Sequence, residues 1–143
     1  MILLLASKMF FPPSFKELVQ MKVKIDTKER FHVINLEESV LSANMTEELK
    51  QTLLPYLEME IKNVILRLKS IEEIDITAAN TIVSLQQTFY DNNASFVICE
   101  MQKSITDFFN QQELLETLNV TPSESEACDI VQMEDIEREF GDV

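Results

Sequence analysis

A chain of 143 residues, 45% of them apolar, is long enough for one domain with a real core. Its formal charge of −13 argues against nucleic acid, whose phosphates call for clustered Lys and Arg. Gly141 is the only glycine, which excludes a P-loop, a dinucleotide turn and a nucleophile elbow, since each needs glycine where the backbone bends sharply or meets phosphate.

Residues 1–20, MILLLASKMFFPPSFKELVQ, differ from the rest. The patch Ile2–Ala6 is short and has no basic residue before it, unlike a secretory signal. Pro12-Pro13 prevents a continuous helix. No run reaches the roughly 18 apolar residues of a membrane span, so direct membrane insertion is not expected. The composition break at Met21 predicts that translation starts there, with 1–20 a misassigned or disordered extension and 21–143 the domain. The rival reading is a genuine N-terminal peptide that docks on the domain.

From Met21 the elements follow in order. Lys22–Asp26 and Phe31–Leu36 alternate like the strands of a hairpin, with Thr27–Arg30 between them. Glu37–Ala43 is a loop. Asn44 with Glu47 three residues on predicts a capping-box start for a helix carrying Leu49, Leu53 and Tyr56, which Pro55 should kink. Val64–Leu68 reads as a buried strand. Ala78, Ile82, Leu85 and Phe89 fall on one face of a helix over Ile76–Tyr90, closed by the turn-prone Asp91-Asn92-Asn93. Ser95–Cys99 is another strand, and Ser104–Leu118 a helix with Ile105, Phe108, Phe109 and Leu115 at helical spacing. After Pro122 comes a last acidic helix, Ser123–Phe140. The order β-β-α-β-α-β-α-α predicts a single α/β domain, a mixed four-stranded sheet with helices packed against it.

Few residues suggest chemistry. His32, the only histidine, sits in FHVINL and reads as a half-exposed strand residue. Cys99 and Cys128 lack zinc-like spacing and read as free thiols of a reducing cytosol. The carboxylates form no recognisable pair. No enzyme, cofactor or metal is therefore expected. Glu113–Val143 carries ten acidic residues and one basic, Arg138, a net −9. A solvated face is the simpler reading of this stretch, and a surface for a basic partner the alternative.

The junction Asp75-Ile76-Thr77 stands out, because a strand there feeds a helix N-terminus with unpaired N–H groups. Asp75 is expected to cap the helix, accepting from Thr77 or Ala78. Ile76 either turns inward to cap the core or stands as an apolar anchor in an interface. Ser39 and Ser42 in the facing loop read as ordinary hydroxyls.

Three segments together resemble the STAS domain, the fold of bacterial anti-sigma factor antagonists and of the cytoplasmic tail of sulfate transporters. HVINLEESVLSANMTEELKQTLLPYL looks like the family's second strand, loop and first helix. NVILRLKSIEEIDITAAN looks like its strand and the I-D-S-S-G turn. SFVICEMQKSITDFFNQQELLETLNV looks like its next strand and helix. The resemblance implies a cytoplasmic, non-enzymatic interaction module. Its partner would be an anti-sigma factor with serine-kinase character, or another regulatory protein. Ser42 and Asn44 of the loop and Asp75, Ile76 and Thr77 of the junction would contact it. In the family the residue after the Asp is a Ser or Thr phosphorylated by that partner. Here Ile76 holds this position and has no hydroxyl. Thr77 matches the second hydroxyl and is a weak phosphorylation candidate, since its side chain lies about 100° further round the helix. Ala78 replaces the family glycine, and Arg67 and Lys69 place two cations near the site. The alternative implication is an accessory subunit of an ABC-type lipid-transport complex. A nucleotide sensor is a third and weaker reading, because no phosphate-cradling loop is visible.

Overall fold

The computed structural model describes residues 21–141. The expectation for 1–20 falls outside them. Five strands form the main sheet: β1 (Val23–Thr27), β2 (His32–Leu36), β4 (Val64–Arg67), β6 (Phe96–Cys99) and β7 (Val120–Thr121). Their spatial order is β1-β2-β4-β6-β7. β1 runs antiparallel to β2, and the other neighbours are parallel. A separate two-stranded parallel ladder joins β3 (Val40–Leu41) to β5 (Glu73–Ile74). The four-stranded expectation therefore falls short by one strand in the main sheet and misses the ladder. Each missed strand has two residues, too few to alternate visibly.

The helices are α1 (Thr46–Leu53), α2 (Ile76–Asp91), α3 (Lys103–Gln111) and α4 (Glu124–Phe140). Three boundaries differ from the sequence reading. Asn44 does not cap α1. It lies in a 3-10 turn, Ala43–Met45, and its side chain accepts from the Ser42 hydroxyl instead. Pro55 kinks nothing, because α1 ends at Leu53 and Pro55 opens a 3-10 turn, Leu54–Glu58, where a missing N–H costs little. The helix expected over Ser104–Leu118 stops at Gln111. Glu113 then takes φ 60°, and a 3-10 turn covers Leu115–Thr117.

The strands β4 and β6 are buried on both faces, as parallel strands covered on two sides must be. Alternation divides their side chains. Ile34, Leu36, Leu66, Leu68, Phe96 and Ile98 join one core with Leu49 and Leu53 of α1, Ile82 and Phe89 of α2, and Ile105 and Phe109 of α3. Phe31, Val33, Ile65, Val97 and Cys99 face Ala127 and Val131 of α4. So α1, α2 and α3 cover one face of the sheet, and α4 covers the other.

The foot of α4 is pinned by polar contacts. The Arg138 guanidinium donates to Asn63 Oδ1 at 2.9 Å and to Ser95 Oγ at 2.8 Å. Glu134 Oε1 accepts from Ser95 Oγ at 2.6 Å and from the Tyr90 hydroxyl at 2.8 Å. Burial, then the hydrogen bond to Glu134, pushes the Tyr90 phenol up to about 12. Arg30 in the β1–β2 turn pairs with Asp135 at 2.9 Å.

Candidate functional site

The loop after β2 and the start of α2 meet beyond the carboxyl ends of the parallel strands. Ser39 O accepts from the Glu72 and Glu73 amides at 2.7 and 3.1 Å, and Leu41 O accepts from the Asp75 amide at 3.2 Å. Asp75 then joins both segments through its side chain. Its Oδ1 accepts from the Ala78 amide at 2.9 Å, which caps α2 as expected. Its Oδ2 accepts from the Ala43 amide at 2.6 Å, a contact the sequence did not foretell. One carboxylate thereby holds the loop against the helix start.

Leu41, Ile74, Ala78 and Ala79 close the core beneath this junction. Above it the surface is open. Ile76 is 42% exposed, so it does not turn inward to cap the core. Thr77 and Asn44 are exposed and Ser42 is half-buried. Val40, at 40% exposure, adds a second uncovered aliphatic side chain. The sequence reading missed it, because its signal, one valine in a two-residue strand, is too short to interpret. The structure thus brings Ser42, Asn44, Asp75, Ile76 and Thr77 to adjoining segments.

The cations differ from expectation. Arg67 donates to Glu100 at 2.8 and 3.3 Å and lies 3.9 Å from Glu124, at the start of α4. The hydrogen bond to Glu100 raises its guanidinium above the usual range. Its charge is spent within the fold rather than offered to Thr77. Glu100 holds φ 57°, a left-handed conformation uncommon without glycine. Lys69 remains exposed.

The other candidates are structural. His32 is buried, not half-exposed. Its Nε2 bonds the Ile61 carbonyl and its Nδ1 the Thr27 hydroxyl, both at 2.9 Å, and its ring lies 4.4 Å from that of Tyr56. Both ring nitrogens are therefore used. Burial, then the nearby carboxylates of Glu100 and Glu124, pushes the Cys99 thiol up to about 12. Burial likewise raises Cys128. Neither thiol has the lowered pKa of a nucleophile. Among the described residues no three His, Cys, Asp or Glu side chains are grouped to hold a metal, and no helix is long and apolar enough to cross a membrane.

A mixed sheet with three helices on one face, and an Asp-capped helix start beyond its carboxyl end, is the architecture of a STAS domain. The chain belongs to this family, whose model matches residues 22–127. Solved structures agree on the fold. An anti-sigma factor antagonist from Mycobacterium paratuberculosis aligns with a TM-score of 0.68 at 10% identity, covering 79% of this chain and 95% of its own. An RsbS variant from Moorella thermoacetica gives 0.67 at 15% identity, over 82% and 98%. The anti-sigma factor antagonist SpoIIAA of Bacillus in its unphosphorylated form gives 0.63 at 13% identity, over 78% and 96%. No curated protein sequence matches the chain.

Proposed function

We propose that this chain is a non-enzymatic interaction module of the anti-sigma factor antagonist kind. It binds a regulatory protein, an anti-sigma factor with serine-kinase character or a relative of one, through the loop 37–44 and the start of α2. The observation that carries the reading is the double acceptance by Asp75 from Ala43 and Ala78. It makes one preorganised surface out of two segments, with Val40 and Ile76 uncovered on it. Preorganisation lowers the ordering cost of binding, and buried aliphatic anchors commonly dominate affinity. Structural neighbours named as anti-sigma factor antagonists support the choice of partner class.

In this reading Ile76 takes the place of the family's phosphorylated hydroxyl. The surface is then constitutively ready to bind, and regulation falls to the abundance of the chain or to competition between partners. Ile76→Asp tests it. The side chain is exposed, so circular dichroism and Tm should stay near wild type. Affinity for a co-purified partner should drop by several kcal/mol, the cost of desolvating a charge where an apolar anchor sat. A folded Ile76→Asp protein that binds with wild-type affinity would refute the assignment.

A further inference from the structure

The last helix, α4, carries apolar side chains on the side away from the sheet. α4 buries Ala127 and Val131 against the sheet, with Glu134 and Arg138 half-buried on that side. At 3.6 residues per turn, Met133, Ile136 and Phe140 fall within about 60° of arc on the opposite side. They are 55%, 45% and 67% exposed. Single exposed apolar residues are ordinary. Three in register on the solvent side of one helix are not, and none of them joins either core of the described fold.

Carboxylates border this stripe on one side, where Glu126 and Glu137 lie, and at its upper end, where Asp129 stands one turn before Met133. Glu126, Asp129 and Glu137 are exposed and make no ion pair among the described residues. Charge therefore selects what can cover the stripe. A second copy would bring −13 against −13 and place these carboxylates against their own kind. An anionic lipid surface would be repelled for the same reason.

We propose that the outer face of α4 is a docking surface for a basic amphipathic helix of another protein. Spacing of i, i+3 and i+7 is what a partner helix reads with its own apolar face. Lys or Arg along one edge of it would pair with Glu126 and Glu137, and one past the end of its apolar face with Asp129. The stripe lies on the side of the sheet opposite α1, α2 and α3, so it is separate from the Asp75 surface and both can be occupied together. On this account the acidic stretch is more than a solvated face.

The test uses the full chain and a synthetic four-turn Leu/Lys amphipathic helix, with a Leu/Glu helix of the same pattern as control. Titration followed by amide NMR should show Leu/Lys binding, weakened by salt, with shifts confined to α4. The Met133→Ser/Ile136→Ser/Phe140→Ser variant should weaken it by about tenfold or more through lost apolar contact. That variant keeps the charge and should keep the fold. An Asp129→Lys/Glu137→Lys variant, which leaves the stripe intact, should also bind less. Equal binding by the triple variant, equal binding of the Leu/Glu helix, or shifts outside α4 would overturn the proposal. So would self-association in sedimentation, or adsorption to phosphatidylcholine/phosphatidylglycerol vesicles, that the triple variant abolishes. A carbodiimide cross-link from Lys8 or Lys16 to Glu137 within one chain would likewise assign the stripe to the chain's own first residues.

Discussion

Asp75→Ser separates the two tasks of the bridging carboxylate. Serine is as good an N-cap as aspartate, so the bond from the Ala78 amide should survive. Serine has one oxygen, on a side chain one bond shorter, where aspartate uses a separate oxygen for each amide, so it falls short of Ala43 and the 2.6 Å bond is lost. A hydrogen bond to a charged acceptor contributes about 1.5–3 kcal/mol. The Ala43 amide is exposed, so water replaces part of this, and the expected loss is about 1–2 kcal/mol. For a domain of this size that lowers Tm by roughly 3–10 °C. Asp75→Ala loses the cap as well and should cost about 1 kcal/mol more. Amide hydrogen exchange gives the sharper measurement. In Asp75→Ser the Ala43 amide should lose protection while the Ala78 amide keeps it. Unchanged protection at Ala43, or equal loss at both amides, would refute the claim that one side chain holds loop and helix together.

Two other outcomes follow. Phosphopeptide mass spectrometry of protein from growing and stressed cells should find no stoichiometric phosphate on Thr77, since a kinase aligned to the preceding residue meets Ile76 instead; condition-dependent phosphate on Thr77 would restore the switch. The unfolded Cys99 thiol ionises near its ordinary value of 9, whereas the folded one keeps its proton to about 12. Its contribution to stability is thus full below about pH 9 and is lost as pH rises toward 12, so urea denaturation above pH 9 should show a steeper decline for wild type than for Cys99→Ala.

Long periodic segments were legible from residue types alone. The 3.6 period of Ala78, Ile82, Leu85 and Phe89 located α2, and the β-branched run Val64-Ile65 located β4. What escaped is held by pairing across distance. Val40 and Leu41 become a strand only because Glu73 and Ile74 lie beside them. Val120 and Thr121 do so only against Ile98 and Cys99. Asn44 and Glu47 have capping-box spacing, yet the side chain of Asn44 is drawn back to Ser42. At the site, the Asp75 cap was readable because it is local, three residues from its donor. Its second bond spans 32 residues, and no local pattern records it. Arg67 looked like a free cation for a similar reason, since Glu100 lies 33 residues away.

The division of the core between two faces bears on how the chain is made. Every strand, and the three helices on the first face, are complete once Thr121 has been synthesised. Until Ala127 and Val131 follow, nothing among the described residues covers Phe31, Val33, Ile65, Val97 and Cys99. Because Arg138 fastens α4 to Asn63 and Ser95, the helix cannot be fully seated until its last turn has left the ribosome. A nascent chain paused between these points presents a sheet finished on one side and greasy on the other. Such a state invites aggregation or chaperone capture. A stop codon after Thr121 should accordingly give an insoluble product, although the surface around Asp75 would be fully encoded.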